Sequence, residues 1–272
     1  MDLRHDLQFA VELSRGAGRI ILDHYGNVDR LTKRHEEAVT IADRDSQRHI
    51  VAALRKQFPG DGIIGEENET GDAITFDCRD PLGRNWVIDP IDGTNNFVAG
   101  LGNFAVAVGL LDAGRPVLGV VYDVTRDLMY AAARGQGAWL GNKPLKVRAT
   151  PPGDSSLIML TSSVADEQNR LPAYPIKWFT QTNWKIRMLG TAAIESAMVA
   201  AGVAHGAITI NGKLWDAVAP AALVLEAGGL VTDLSGKQVF PFDLRNYSGA
   251  RVPYLAAGPA SHAVLLKDTA GG

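Results

Sequence analysis

Residues 85–97 read NWVIDPIDGTNNF, with Asp89 and Asp92 three positions apart at the end of an apolar run. A carboxylate ending a buried strand ionises only if something offsets its desolvation. A second carboxylate beside it adds like-charge repulsion, so either one is protonated or a cation lies between them. Pro90 fixes its own φ and offers no N–H, and Gly93 permits a backbone conformation that a Cβ hinders. Together they can turn both acids toward one centre and leave the carbonyl of Ile91 available. An all-oxygen set of this kind suits Mg²⁺. The N–H groups of Gly93, Thr94 and Asn95 would then open a short helix, and such a nest receives phosphate. Carboxylates holding Mg²⁺ beside a phosphate nest describe a phosphatase or another phosphoryl-transfer site. The chain has no GxxxxGK[ST] loop, so NTP binding is not implied.

Other acids fit the same logic. Glu66 and Glu67 end the β-like run GIIGEE, and Asp216 follows Trp215 at the start of a helical pattern. An aspartate there commonly caps the helix, and the helix N-terminus favours an anion, so one residue can serve as cap and as ligand. The six histidines are scattered without ligand spacing, and the one cysteine, Cys78, leaves no internal disulfide. That cysteine usage favours a reducing, cytoplasmic compartment. A formal charge of −3 over 272 residues argues against a general nucleic-acid binder. The N-terminal stretch lacks a signal peptide's apolar core, and no apolar run reaches the length of a membrane span.

The elements that must position these acids can be read from periodicity. Residues 4–25 carry the spacing of an amphipathic helix, and a second such pattern covers 43–58, stopped by PGDG at 59–62. GIIGEE and NWVID read as strands, with a polar, loop-like stretch at 68–84 between them. NFAVAVGLL (103–111) and PVLGVVYDV (116–124) flank DAGR as a hairpin, and DLMYAAA (127–133) follows as a third strand. ATPPGDSS (149–156) is rich in proline and glycine and marks a boundary between an N-terminal α+β half, 1–148, and a C-terminal α/β half, 149–272. Beyond it come LIMLTSS as a strand, GTAAIESAMVAAG (190–202) as a helix, HGAITI (205–210) as a strand, WDAVAPAALVLEAGG (215–229) as a helix and LVTDL as a strand. Hairpins mixed with helices exclude a purely parallel doubly wound sheet.

GEE (65–67), WVIDPIDGTNNF (86–97), LGTAA (189–193) and WDAVAPAALVLEAGG (215–229), with AVTIADRD (38–45) ahead of them, resemble the motifs of the inositol monophosphatase family in that family's order. These lithium-sensitive, magnesium-dependent phosphatases are also akin to the fructose-1,6-bisphosphatases. The resemblance implies an α/β (α+β) fold, a layered αβαβα sandwich with the site between the two halves, and a homodimer. It implies two to three Mg²⁺ ions. Glu66, Asp89 and the Ile91 carbonyl would hold the first; Asp89, Asp92 and Asp216 the second; and Glu66 a weaker third. Thr94 with Asp43 would orient the attacking water, and Gly93 and Thr94 would bind phosphate through backbone N–H. Glu67 matches the family's second glutamate, close by without being a direct ligand. The implied reaction is hydrolysis of a small sugar or polyol phosphate monoester by metal-activated water attack, with no phosphoenzyme.

On the substrate side, Ala192 matches a backbone position, and Asp92, Asp216 and Thr209 complete the expected contacts. Inositol-specific members carry a glutamate seven positions before the WD aspartate, where this chain has the shorter, uncharged Thr209. Histidinol phosphate, fructose 1,6-bisphosphate and 3′-phosphoadenosine 5′-phosphate therefore stand beside inositol phosphate as substrates. Neither nucleic acid nor membrane is expected as a partner, although some bacterial members resembling this chain bind the transcription machinery. Pro220 is expected in the first turn of its helix, where a proline is tolerated. Lys185 and Arg187 read as a solvated strand edge, and Trp178, Phe179 and Trp184 as core aromatics, with the cleft or a dimer contact as the other reading.

Overall fold

The computed structural model describes residues 2–26, 31–32, 38–39, 41–67, 74–161, 165 and 170–270. Thr40 of the AVTIADRD segment, residues 68–73 of the polar stretch, and Ser162 and Ser163 of LIMLTSS lie outside them.

The chain begins with α1 (Arg4–His24), β1 (Leu31–Thr32), β2 (Ala38–Val39), α2 (Ile41–Gln57), β3 (Gly62–Gly65), β4 (Thr75–Asp77), β5 (Arg84–Asp92) and α3 (Thr94–Val98). The meander β6 (Ala105–Asp112), β7 (Arg115–Asp123), β8 (Leu128–Ala133), β9 (Gly137–Leu140) and β10 (Lys143–Pro144) follows. Then come β11 (Leu157–Leu160), α4 (Ala173–Gln181), β12 (Lys185–Arg187), α5 (Ala192–Ala200), β13 (Gly206–Thr209) and α6 (Leu214–Glu226). The last elements are β14 (Leu230–Thr232), β15 (Tyr254–Ala257) and α7 (Pro259–Thr269).

An eight-stranded sheet has the order β10-β9-β8-β7-β6-β5-β3-β4, and a five-stranded sheet the order β12-β11-β13-β15-β14. The larger is antiparallel except where β3 runs parallel to β5; the smaller mixes parallel β12-β11-β13 with antiparallel β15 and β14. DAGR forms a two-residue hairpin turn in which Ala113 and Gly114 both have positive φ, 50° and 70°. That backbone matches the twist of the flanking strands.

Apolar faces stack these elements in the layers αβαβα. Ala10, Leu13, Ala17 and Ile21 of α1, with Ile50 and Leu54 of α2, close over Trp86, Val106, Val108 and Val120 on one face of the large sheet. Its other face, with Val87, Ala107 and Val121, packs on α5 and α6, which also cover the small sheet at Met159, Ala207 and Ala256. Beyond that sheet, Tyr174 and Trp178 of α4 and Leu265 of α7 cover Ile158, Ile208 and Leu255. The strands of the large sheet precede residue 148 and those of the small sheet follow 149, while the middle core layer draws on both sides of that boundary.

The middle layer is unusually close on its large-sheet side. A Cβ at Gly109 would lie 2.9 Å from the Ala219 nitrogen, and one at Gly119 would lie 2.2 Å from the Ala219 oxygen. The α6 backbone therefore rests on two strand positions that have no side chain, and the helix meets them with the small residues Val218, Ala219 and Ala222. Pro220 departs from its expected place: with α6 starting at Leu214, it falls in the second turn. Among the described residues no helix is long and apolar enough to cross a membrane.

Candidate functional site

The opening pair of aspartates owes its geometry to a bulge. Asp89 faces Ala107 of β6 and Asp92 faces Ala105, so three steps along β5 match two along β6. In a regular strand, residues three apart point to opposite faces; the extra residue returns Asp92 to the face of Asp89. Pro90 stands inside the irregularity, where its missing N–H breaks no ladder bond. The strand thus runs on past Asp89 to Asp92. The Asp89 Oδ1 accepts the Ile91 N–H at 3.0 Å, locking the corner. Gly93 follows with φ +95°, and a Cβ there would sit 2.8 Å from the Asn103 oxygen. Only glycine meets both demands.

Thr94 opens α3. Its hydroxyl lies 2.9 Å from the Ile91 carbonyl oxygen and 3.1 Å from the Oδ1 of Asp43, which is buried in the first turn of α2. Its one proton serves either acceptor. Asp92 docks on the start of α5, where its Oδ2 accepts the Ala193 N–H at 2.7 Å and the Thr191 hydroxyl. The exposed amides and dipole of that helix end suit a carboxylate. Asp216 is the third residue of α6, and its Oδ2 accepts the Lys213 N–H at 2.6 Å. The side chain therefore caps its helix by reaching backward. Glu66 arrives because β3 runs parallel to β5, with Gly65 opposite Ile88, and it hydrogen-bonds to Asp89. Glu67, next in sequence, is buried, and its N–H is bound to Gln47 Oε1 at 3.0 Å.

Asp89, Asp92 and Asp216 each bring a carboxylate oxygen within 4.8 Å of the other two. Burial drives Asp89 well above the usual carboxylate range, and Glu66, Asp92 and Asp216 push it further. Burial also pushes Asp92 up to about 6, against the opposing pull of Thr191, Ala193 and Ala192. Crowded, desolvated acids of this kind ionise together only around a cation, so the donor set fits a divalent metal.

A cavity of about 480 Å³ opens over the cluster, lined by Glu66, Asp89, Ile91, Asp92, Gly93, Thr94, Ala192, Thr209 and Asp216. Asp43 stands behind Thr94 and outside the lining. Glu67, Met188, Asn211 and Lys213 also line it, and Lys213 Nζ is bound to the Gly249 carbonyl at 2.8 Å. Lys185 and Arg187 are exposed on the edge strand β12 and lie outside the lining. Trp178 and Trp184 pack in the outer core with Tyr174, while Phe179 is exposed.

Sequence reasoning missed Glu195. Its Oε1 accepts the N–H groups of Leu189 at 2.7 Å and Gly190 at 3.3 Å, shaping the turn that leads into α5. Burial pushes its carboxyl up to about 8. The available signal was one acid inside a helix otherwise made of small and apolar residues.

Comparison with known proteins agrees with this architecture. Residues 2–269 match the model of the inositol monophosphatase family. The fructose-1,6-bisphosphatase/inositol-1-monophosphatase of Thermotoga maritima is 35% identical over 87% of this chain and 88% of its own. The Nus factor SuhB of Pasteurella multocida is 34% identical over 85% of each chain. A solved IMPase structure from Thermotoga maritima superposes with a TM-score of 0.83 at 31% identity, covering 97% of this chain and 96% of that one. This chain belongs to the inositol monophosphatase family.

Proposed function

We propose that the chain is a Mg²⁺-dependent phosphatase of small sugar or polyol phosphates. The observation that carries this reading is the meeting of Asp89, Asp92 and Asp216 within 4.8 Å at the floor of a cavity large enough for such a substrate. Glu66, Asp89 and the Ile91 carbonyl would hold one ion, and Asp89, Asp92 and Asp216 another, with Glu66 shared by a weaker third. Bound there, Mg²⁺ supplies the positive charge that draws in a phosphate dianion and raises the acidity of water. The chain's own residues do the rest. Gly93 and Thr94 present backbone N–H groups to the phosphate, and Thr94, backed by Asp43, orients the water that attacks phosphorus in line. Ala192 and Thr209 face the alcohol part of the substrate.

Thr209 is 1% exposed and uncharged, so it favours a substrate held by few charge-assisted contacts on that side. Inositol phosphates, fructose 1,6-bisphosphate, histidinol phosphate and 3′-phosphoadenosine 5′-phosphate form the test panel. Phosphate release is measured with Mg²⁺, with and without Li⁺. The reading expects Mg²⁺-dependent, Li⁺-inhibited turnover that prefers one member, and it fails if no phosphomonoester is hydrolysed. Sedimentation of the same preparation tests the homodimer implied by the family.

Relatives named Nus factor SuhB support a second reading, a protein that interacts with the transcription machinery. Complementation separates the two. A catalytically dead Asp92 variant that restores every deletion phenotype favours the second, and one that restores none favours the first.

A further inference from the structure

Pro220 has no N–H to offer the carbonyl four residues back, and that carbonyl belongs to Asp216. A buried helix carbonyl left without a partner is costly. Here it has a substitute: the Tyr254 hydroxyl lies 3.1 Å from the Asp216 carbonyl oxygen. A carbonyl only accepts, so the single Tyr254 proton goes to it. The Ser196 hydroxyl, 3.0 Å from the same Tyr254 oxygen, and the Thr209 hydroxyl, which also bonds to it, must then be the donors in those contacts. Tyr254 is 1% exposed and stands on β15 opposite Thr209. From there its ring crosses the middle layer and ties the small sheet, α5 and the first turn of α6 together.

We propose that Tyr254 is a positioning residue for Asp216. Its hydroxyl replaces the N–H that Pro220 lacks and fixes the helical turn from which the Asp216 carboxylate reaches the acidic cluster. The assignment depends on Asp216 being a Mg²⁺ ligand. Because Asp216 Oδ2 is held by the Lys213 N–H in the same turn, the direction of the carboxylate follows the geometry of this turn. A tyrosine that only filled space would act differently, since its phenyl ring alone would then suffice.

The test is a set of four full-length proteins: wild type, Tyr254→Phe, Pro220→Ala and the double variant. Each is titrated with MgCl₂ by calorimetry and melted in parallel. Tyr254→Phe should bind Mg²⁺ about 3- to 10-fold more weakly, the factor expected from one net hydrogen bond. Pro220→Ala restores a backbone donor, so the double variant should return to within about twofold of wild type, the spread left for small packing changes. Wild-type Mg²⁺ affinity in Tyr254→Phe, whatever its melting temperature, would overturn the proposal. So would a double variant as weak as Tyr254→Phe. If Tyr254→Phe does not fold, the double variant must fold and bind, and its failure to do so is equally fatal. A wild-type chain that binds no Mg²⁺ refutes the metal reading itself.

Discussion

Raising the pH of the metal-stripped protein from 5 to 8 should destabilise it. Burial lifts Asp92 from its ordinary 3.8 to about 6, so between those values the native state holds a proton that the unfolded chain has released. Where the unfolded state binds fewer protons, unfolding free energy falls as pH rises. The contribution is complete below 3.8 and gone above about 6. Its full size is on the order of 3 kcal/mol, of which roughly half remains at pH 5 and almost none at pH 8. At about 2–4 °C per kcal/mol for a chain of this length, Asp92 alone lowers the melting midpoint by about 3–6 °C over that span. Asp89 acts in the same direction, and Glu195, raised by burial to about 8, extends the decline upward. Asp2 and Asp243, held at about 2 by hydrogen bonds from Arg4 and Arg245, have the opposite sign but act only at lower pH. His205 and His262, held below the ordinary imidazole range by burial, also have the opposite sign and offset part of the decline below about pH 6.5. The assay is calorimetry in EDTA at constant ionic strength, in half-unit steps of pH. Saturating Mg²⁺ should abolish the part of the slope that Asp89 and Asp92 contribute, because a ligand of the ionised carboxylates stabilises the deprotonated native state. Asp92→Asn should flatten the lower part of the curve and Glu195→Gln the upper. A pH slope in EDTA that is the same in wild type, Asp92→Asn and Glu195→Gln would refute the claim that these acids are desolvated and crowded.

Two further outcomes are expected. Thr94→Val removes the hydroxyl between Asp43 and the Ile91 carbonyl and should slow phosphate release about 100-fold or more while the melting point moves only a few degrees; retention of a tenth of wild-type turnover counts against the Thr94–Asp43 pair. Gly119→Ala, whose new methyl would meet the Ala219 oxygen at 2.2 Å, should cost about 1–3 kcal/mol in urea unfolding. An unchanged midpoint there contradicts the close seating of α6.

The site was more legible than the fold around it. DPIDGT could be read because proline, glycine and two acids in six positions make little sense as packing, and the side chains do meet. The strand was drawn too short, since local propensity ends it at Pro90, whereas pairing with β6 carries it to Asp92. β9, β10 and β12 are two to four residues long, too short to show any period, and pairing with neighbours defines them. α7 carries almost no apolar stripe in sequence, and α4, though amphipathic, is only nine residues long. Pro220 was misplaced by counting and not by the helix start: even from Trp215 it is the sixth helical residue, beyond the first turn. Glu195 was hidden by its neighbours: in sequence it is one acid in a small-residue helix, and only the turn at Leu189–Gly190 shows what it holds.

The seating of α6 on Gly109 and Gly119 also bears on how the sequence can drift. Where two elements touch main chain to main chain, their spacing is set by peptide geometry, which every residue type shares. Alanine and valine along α6 can then be exchanged among small apolar residues with little effect on where Asp216 stands. The two strand glycines have no such latitude. In a deep mutational scan, these two positions, remote from any bound phosphate, should therefore be as intolerant as the acids themselves.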